Sequence, residues 1–329
     1  MAHWRLRDVA RLSGVSVSTA SRALNDRDDV SPQTKARVLA AAERLGYVPS
    51  SLAKGLWSGT TKTVGVVVTN ITNSFYANVV AGVEDVMDAH GYNIVLNSTH
   101  EDPEREMRAI KLLLEQRVDG IILAPVESEP AAVDFLNKNG VPYVIVGRKA
   151  RNADTNHVVC DDLKIGRMAA RYLLDAGHER VLFINSARNY SAELRAEGFR
   201  SVFREHGAAW DEDMILPVFD PQQLPAIVNQ VFDGTHLPSA VFCFCDDMAI
   251  DVMRVLRQRG LKIPQDVAVM GVDNLKVTEL LDPPLTTIDT SKMQMGTSSA
   301  EILLRAMHNQ DKDIEHIVLE PKLVKRVSA

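Results

Sequence analysis

Short apolar runs alternate with longer segments of helical spacing through most of this chain, and this alternation limits the fold more than any other feature. The first run reads TVGVVV, a composition typical of a strand buried on both faces. A strand–helix–strand order predicts parallel sheets with helices on both faces. The predicted strands are 63–68, 92–96, 120–123, 143–146, 181–184, 215–219, 240–244 and 267–272.

The order of strands and helices restarts after residue 146, which predicts two doubly wound units side by side. A last helix, over 292–308, follows the segment LTTI and is expected to cross back to the first unit. The other predicted helices are 74–90, 104–116, 130–139, 163–176, 192–206, 224–232 and 247–259.

The N-terminal residues follow a different pattern. Residues 6–25 read LRDVARLSGVSVSTASRALN and predict two short helices, over about 7–12 and 17–24, joined by a tight turn. Gly14 gives the turn a left-handed backbone, because it has no Cβ to clash. Ser16 is placed to cap the second helix through its side-chain oxygen.

A third helix opens at Ser31 and Pro32, which suit the cap and the first helical position, and it ends at Gly46. Three helices in about 48 residues have a very small core, so this domain should be only marginally stable alone. The side chains expected to pack inward are Val9, Ala10, Leu12, Ala20, Ala23, Leu24, Val38, Leu39, Ala42 and Leu45.

The other faces of the second helix carry Val17, Ser18, Ser21 and Arg22, which are available to a partner. A compact helix pair with Gly in its turn is typical of a helix-turn-helix, whose second helix enters the major groove of DNA. Taken alone, the pattern also fits a helical hairpin at the edge of an enzyme.

Charge is unevenly distributed along the chain. The whole chain has a net charge of −6, but residues 1–62 carry ten Lys or Arg against five Asp or Glu, and the remainder carries 27 against 38. A basic N-terminal part on an acidic body predicts that only the N-terminal part meets a polyanion.

The segment PSSLAKGLWSG at 49–59 is too short for a stable isolated helix, and Gly55 weakens it further. We expect it to be helical only when it is held by a partner. Its large apolar residues, Leu56 and Trp57, either pack on the next domain or, in the case of Leu56, act as a wedge between base steps in a minor groove.

Ligands of doubly wound sheets bind beyond the carboxyl ends of strands. The segments at those positions supply aromatic faces, amides, arginines and carboxylates, which suit a small polyhydroxylated ligand. They are 70–76, 147–148, 185–191, 219–220, 245–247 and 273–274.

Other classes of protein lack their sequence signals. The N-terminus is unlike a signal peptide, no apolar run could span a membrane, and three cysteines suit a reducing cytosol. This argues against an exported sugar receptor and predicts a cytoplasmic protein. Cys243 and Cys245 have no second pair at metal spacing, so no metal or cofactor is expected. No G-x-G-x-x-G follows the first strand, and Asp246-Asp247 fits a helix N-terminus as well as an acid–base pair, so we do not expect an enzyme.

At this point the chain resembles the lactose-repressor family of bacterial transcription regulators, over essentially its whole length. The motifs that carry the resemblance are RDVARLSGVSVSTASRALN, VSPQTKARV, LGYVPSSLAKGL, RVDGIIL, DDMAI and PPLTTI, in that order along the chain. The resemblance implies a body similar to periplasmic sugar-binding proteins, in which two subdomains close on an effector. It also implies a homodimer that binds a palindromic operator, usually as a repressor.

The resemblance assigns roles to individual residues. The residues implied in DNA binding are Val17, Ser18, Ser21 and Arg22 in the recognition helix, and Ala53, Lys54 and the intercalating Leu56 in a hinge helix. The residues implied in effector binding are Asn73, Phe75, Tyr76, Arg148, Asn189, Ser191, Arg195, Phe219, Cys245, Asp273 and Thr290.

Four positions depart from the family pattern. Arg5 stands where Thr usually caps the first helix, Cys245 replaces a common Asn, Gly147 precedes Arg148 where sugar binders often have Asp, and Trp57 follows the wedge leucine. No leucine heptads follow residue 327, which resembles the dimeric members.

These observations predict an all-α helix-turn-helix domain followed by an α/β, periplasmic-binding-protein-like body of two doubly wound parallel-sheet subdomains. The DNA-binding domain is predicted over 1–48 and the hinge over 49–61. The first subdomain of the body is predicted over 62–161 and 290–322, and the second over 162–289 and 323–329.

The wedge role of Leu56 is testable. Leu56→Ala should reduce the bend that the protein imposes on a tightly bound duplex, measured by energy transfer between dyes on the DNA ends, because the side chain no longer unstacks a base step. The stability of the isolated body should change little. A large drop in its melting temperature would show instead that Leu56 packs on the body.

Overall fold

The computed structural model describes residues 4–48, 59–129, 131–151, 154–186, 189–207, 212–308 and 313–329. The chain divides into two compact units, one of residues 1–63 with 115–119 and one of the remaining residues. The bounds predicted for the DNA-binding domain, the hinge and the two subdomains stay predictions.

Residues 4–48 form three helices, α1 (Leu6–Ser13), α2 (Val17–Leu24) and α3 (Pro32–Leu45). The predicted caps are confirmed, because Ser16 Oγ accepts from the Thr19 N–H at 3.0 Å and Ser31 Oγ accepts from the Thr34 N–H at 3.3 Å. Gly14 and Gly46 end α1 and α3 as predicted, and both are left-handed.

The start of α1 shows how the chain manages without a capping Thr. Arg5 occupies the cap position, and its side chain has no acceptor for an orphan N–H. The Asp8 carboxylate accepts from the Arg5 N–H at 3.0 Å, which is one half of a capping box. The helix therefore keeps one of its two end contacts.

The prediction that Leu12 and Leu39 pack in the core of this unit is wrong. Leu12 is 45% exposed and Leu39 is 53% exposed. On α1 the buried position one turn after Val9 is Ser13, whose hydroxyl donates to the Val9 carbonyl at 2.7 Å. On α3 the buried stripe runs from Val38 to its neighbours three and four residues on, which turns Leu39 outward.

The second unit contains twelve described strands. In chain order they are β1 (Thr63–Val68), β2 (Asn93–Ser98), β3 (Gly120–Leu123), β4 (Tyr143–Val146), β5 (His157–Cys160), β6 (Val181–Ser186), β7 (Ile215–Val218), β8 (Ala240–Cys243), β9 (Ala268–Met270), β10 (Thr287–Asp289), β11 (His316–Leu319) and β12 (Lys322–Val324). The described helices between them are α4 (Ser74–Ala89), α5 (Pro103–Glu115), α6 (Ala131–Asn139), α7 (Asp162–Asp175), α8 (Tyr190–Glu205), α9 (Leu224–Phe232), α10 (Asp246–Gln258) and α11 (Lys292–Met307).

The strands form two sheets of the predicted kind and one small ribbon. The first sheet has six strands in the order β11-β5-β4-β3-β1-β2, and the second has four in the order β7-β6-β8-β9. The pairings described within them are parallel. The ribbon pairs β10 with β12 antiparallel. Helix α11 packs on α4, β3 and β4, so its predicted return to the first sheet is confirmed.

The sequence pattern predicts none of β5, β10, β11 and β12. β10 and β12 form the small ribbon, whereas β5 and β11 belong to the first sheet. β5 and β11 each have only four residues and begin with a histidine, and two positions of β11 are exposed because it lies at the sheet edge. Their register places His157 opposite His316, and the two rings stack with centroids 4.3 Å apart. The other predicted helices and strands are present and differ only at their ends.

Glycines allow helices to cross closely at two places in the body. A Cβ on Gly166 of α7 would lie 2.0 Å from the Arg195 carbonyl of α8, and a Cβ on Gly198 would lie 2.0 Å from the Leu163 carbonyl. The same arrangement joins α4 to α11, where a Cβ on Gly296 would lie 2.0 Å from the Val79 carbonyl. Backbone sits against backbone at both crossings, which fixes the helices that follow β1 and β6.

One carboxyl group lies in the core near the first sheet. Glu106 of α5 is buried, and its Oε1 accepts from the Val126 N–H at 2.9 Å. Burial raises the pKa of Glu106 to about 7, against an ordinary value of 4.5, and the bond from Val126 only partly offsets this. The folded state therefore holds a proton at pH 6 that the unfolded chain has released.

Gly166→Ala should lower the free energy of unfolding of the body by about 1–3 kcal/mol, because α7 and α8 must separate to admit a methyl group. Urea unfolding followed by circular dichroism measures this. Lys164→Ala, an exposed change on the same helix, should leave the stability nearly unchanged. Equal stability of Gly166→Ala and the wild type would contradict the close crossing.

Glu106→Gln should remove part of the pH dependence of stability. Because the folded pKa is raised, the contribution of Glu106 is most favourable below about pH 4.5 and is lost as the pH rises through about 7. The variant should equal the wild type at pH 4.5 and exceed it at pH 8 by about 1–3 kcal/mol. Glu104→Gln, an exposed change on the same helix, should keep the wild-type profile. Parallel profiles for Glu106→Gln and the wild type would show that Glu106 is not protonated in the folded state.

Candidate effector cavity and DNA-binding surface

A cavity of about 610 Å³ lies in the second unit, at the carboxyl ends of strands from both sheets. Segments after β1, β2 and β4 of the first sheet line it, as do segments after β6, β7, β8 and β9 of the second. This is where ligands of doubly wound sheets bind. Nine of the residues proposed for effector binding line it, namely Asn73, Phe75, Tyr76, Arg148, Ser191, Arg195, Phe219, Cys245 and Asp273.

The other two proposed residues do not line the cavity. Asn189 is buried and caps α8, where its Oδ1 accepts from the Ala192 N–H at 2.9 Å and its Nδ2 donates to Ser186 Oγ at 3.2 Å. Thr290 is buried after β10, and its hydroxyl has no hydrogen-bond partner among the described residues. Asn189 therefore has a structural role here, and its effector contact is only a prediction.

Several residues that line the cavity are not among the residues proposed for effector binding. The most important are His100 and Glu101, both in left-handed backbone after β2. The predicted strand ends at residue 96 whereas β2 continues to Ser98, so the sequence pattern does not indicate the loop beyond it. The further lining residues are Thr69, Val218, Leu224, Phe244, Met248 and Asp251, together with Asn70, Gly147, Ser186, Asp220 and Asp247, which lie in the predicted ligand-binding segments.

Arg148, after β4, is held by the loop after β2. Its two terminal nitrogens each donate to one oxygen of Glu101, both at 2.8 Å, in a bidentate pair. Burial alone would lower the pKa of Arg148, but Tyr76 and Glu101 outweigh that effect, so its pKa is raised. The guanidinium is therefore fixed, charged and already matched by one carboxylate.

Arg195, on α8, is held from the opposite side of the cavity. Its Nε donates to Asp162 Oδ1 at 2.8 Å, and one terminal nitrogen donates to the Phe244 carbonyl. The guanidinium also stacks on the Phe244 ring, 4.2 Å from its centroid. Both side chains of the Arg195–Asp162 ion pair are buried, so the pair fixes the position of the arginine in the cavity wall. The glycine crossing of α7 and α8 brings Asp162 within reach.

Asp273, after β9, presents a buried carboxyl group to the cavity. No described residue donates a hydrogen bond to it, and its backbone has a positive φ of 114°. Lys292 donates to its backbone carbonyl, not to its side chain. Burial first, and then the neighbouring Asp246, raise the pKa of Asp273 well above its usual value. Nearby, Ser191 Oγ is buried without a described partner. Both groups are available to a ligand.

Apolar faces complete the cavity. Phe75 lies edge-on to Tyr76 with ring centroids 4.9 Å apart, and a Cβ on Gly147 would come within 3.3 Å of the Phe75 ring. Phe219 is 61% exposed, which leaves its ring free to stack on a ligand. Cys245 opens α10, and burial raises the pKa of its thiol, so it contributes a neutral group.

In the first unit, α2 presents the predicted recognition face. Val17 is 49% exposed, Ser18 and Arg22 are exposed, and Ser21 is half-buried. Arg22 donates to the carboxylate of Asp29 at 2.7 Å, an exposed ion pair. Such pairs contribute little to stability, so Arg22 can exchange Asp29 for another acceptor.

Cationic side chains flank this face. Arg37 is exposed, and Lys35 pairs with Asp26 at 2.7 Å. The predicted hinge residues Ala53, Lys54 and Leu56 lie outside the described residues. Among the described residues no helix has the length and apolar character needed to cross a membrane. The same part of the chain contains no group of three His, Cys, Asp or Glu side chains placed to hold a metal ion.

Comparison with known protein families matches both parts of the chain. Residues 5–50 match the family of bacterial regulatory proteins of the lacI type, and residues 61–326 match the periplasmic binding proteins and sugar binding domain of the LacI family.

Individual relatives agree over nearly full length. The chain is 33% identical to the HTH-type transcriptional repressor PurR of Vibrio vulnificus, with 98% of this chain and 97% of the relative covered. It is 30% identical to the transcriptional regulator CelR in a cellobiose complex, with a TM-score of 0.76 and 99% and 100% of the two chains covered. It is 25% identical to the lac repressor in a dimer bound to operator and the anti-inducer ONPF, with a TM-score of 0.84 and 99% of each chain covered.

One chain thus contains both a helix-turn-helix with an outward recognition face and a ligand cavity at the ends of strands from two parallel sheets. Both parts match the same family. The chain belongs to the LacI family and is a DNA-binding transcriptional regulator with a periplasmic-binding-protein-like body.

Proposed function

We propose that this protein is a repressor that binds a palindromic operator as a homodimer, and that a sugar or sugar derivative in the cavity controls its affinity for DNA. One observation carries the proposal: the same chain has an exposed recognition helix and a cavity in which the Ser191 hydroxyl and the Asp273 carboxyl have no hydrogen-bond partner among the described residues. No chemical step is assigned to it, and it acts where the chromosome is, in the cytoplasm.

On the DNA side, Arg22 donates two hydrogen bonds to guanine O6 and N7 after it leaves Asp29, a contact worth about 1–3 kcal/mol of discrimination. Val17 contacts a thymine methyl group, and Ser18 and Ser21 contact neighbouring groups. Lys35, Arg37 and Lys54 contact phosphates, which position the protein without reading sequence. Leu56 inserts into the minor groove beside Ala53 and Lys54.

On the ligand side, the arrangement supports a carbohydrate. Phe75 and Phe219 offer faces for the C–H side of a sugar ring, while Asp273 and Ser191 offer hydrogen bonds to its hydroxyl groups. The solved complex of the relative CelR contains cellobiose. Closure of the two subdomains on the ligand changes the spacing of the two hinges in the dimer, with a coupling of about 1–3 kcal/mol.

The effector class can be tested by a thermal-shift screen of sugars and nucleobases, run with and without a duplex selected for tight binding. A sugar should raise the melting temperature of the body, and its effect should change when DNA is bound. A nucleobase that alone stabilises the protein would replace the sugar. DNA binding that does not depend on salt, or the absence of binding to every duplex, would contradict the regulator itself.

Arg22→Ala should relax discrimination at one operator base pair by roughly tenfold or more, because the bidentate contact to guanine is lost. Binding to a library of single-base operator variants, measured by fluorescence anisotropy, reports this. Arg37→Ala is the matched control for a phosphate contact and should weaken binding to all sequences equally. If Arg22→Ala behaved like the control, Arg22 would contact a phosphate.

A further inference from the structure

We propose that the cavity selects neutral, hydroxyl-bearing effectors and rejects phosphorylated or carboxylated ones, and that Glu101 is the residue that sets this selectivity by occupying Arg148. The inference rests on the proposed function only in placing the effector in this cavity. The inference concerns how affinity depends on the charge of the ligand. Ligand binding measured without DNA tests it.

The two arginines that line the cavity are the groups that an anionic ligand would need. Arg148 gives both terminal nitrogens to Glu101 in a bidentate pair at 2.8 Å. A phosphate or carboxylate could bind Arg148 in the same bidentate manner only by displacing Glu101, whose charge would then lie against the ligand. Arg148 therefore provides geometry and N–H donors but no net positive charge.

Arg195 is neutralised in the same way on the other side. Asp162 accepts from its Nε at 2.8 Å, and both side chains are buried. A buried ion pair of this kind cannot release its carboxylate into water at low cost, because the arginine would be left unpaired. Its second terminal nitrogen has no partner among the described residues, so it can donate to a neutral hydroxyl oxygen.

The remaining lining charges are acidic. Asp247 is exposed at the cavity, and Asp220 and Asp251 also line it. Asp251 pairs with Arg254, which does not line the cavity. Asp273 adds a buried carboxyl group that supplies no positive charge in either protonation state. Among the described lining residues, carboxyl groups therefore outnumber arginines, and the arginines are already paired.

A neutral polyol neither has to displace Glu101 from Arg148 nor is repelled by the carboxylates that line the cavity. Its hydroxyl groups donate to Asp273 and exchange hydrogen bonds with Ser191, and its oxygens accept from the nitrogens of the paired arginines. Because each arginine is fixed by a carboxylate, the donors are preorganised for such a ligand. An anion of the same shape would bring an unmatched charge into a site that holds several carboxylates.

The test uses the full-length protein and matched probes: ribose, glucose, galactose and cellobiose, the 5-phosphate of ribose, the 6-phosphates of glucose and galactose, and inorganic phosphate. Dissociation constants are measured by calorimetry for the wild type, Glu101→Gln, the double variant Glu101→Gln with Arg148→Gln, and Glu104→Gln as an exposed control. Circular dichroism checks that each variant is folded.

For each neutral sugar that binds the wild type, the corresponding sugar phosphate should bind at least about tenfold more weakly. Glu101→Gln should bind inorganic phosphate at least about tenfold more tightly than the wild type, because Arg148 is freed. The double variant should lose that gain, and the control should match the wild type.

Two results would overturn the proposal. One is a phosphorylated sugar that binds the wild type more tightly than its neutral form. The other is a folded Glu101→Gln protein with unchanged affinity for phosphate. If Glu101→Gln does not fold, Glu101→Ala takes its place, and unchanged phosphate affinity there overturns the proposal equally. Failure of the regulator function would be seen separately, as DNA affinity that no bound ligand alters.

Discussion

Parallel strands present their carboxyl ends at the same edge of a sheet, and the effector cavity depends on that constraint. Each sheet of the body contributes the loops beyond its strands, so side chains that are far apart in sequence meet in a volume of about 610 Å³. Arg148 and Glu101 come from the loops after β4 and β2, while Arg195 and Asp273 come from segments after β6 and β9. The sheets bring these side chains together, so none of them depends on contacts with residues that are close in sequence. The loops can therefore vary in chemistry while the framework stays the same.

Close helix crossings and ion pairs then convert that placement into fixed geometry. The glycine contacts between α7 and α8 hold Asp162 against Arg195, and Glu101 holds Arg148 with both oxygens. Each arginine keeps its charge but has it matched within the protein. The groups left without described partners include the Asp273 carboxyl and the Ser191 hydroxyl, which suit an uncharged ligand. Selectivity for charge follows from which polar groups the fold satisfies and which it leaves open.

The framework was predictable from the sequence because its signals are local. The apolar runs gave most strands, and Gly14, Ser16 and Ser31 set turns and caps by contacts within a few residues. The resemblance to the family pointed to nine residues that the structure brings to one cavity. Pairings between distant residues were not predictable. The partner of Arg148 is Glu101, 47 residues away, and β11 joins β5 across more than half the body. Leu12 and Leu39 were misplaced because a helical stripe of small residues, Ala and Ser, outweighed their apolar character.

Control of DNA binding by the cavity requires a free-energy coupling between the two sites, and such coupling is reciprocal. The most direct measurement is a thermodynamic cycle on the full-length protein with the neutral sugar that stabilises it most and a duplex selected for tight binding. The operator dissociation constant is measured with and without saturating sugar, and the sugar dissociation constant with and without saturating operator. We predict that the two ratios are equal and lie about 5–150-fold from unity. Two ratios equal to one, for a sugar that binds in the cavity, would contradict ligand control of this regulator.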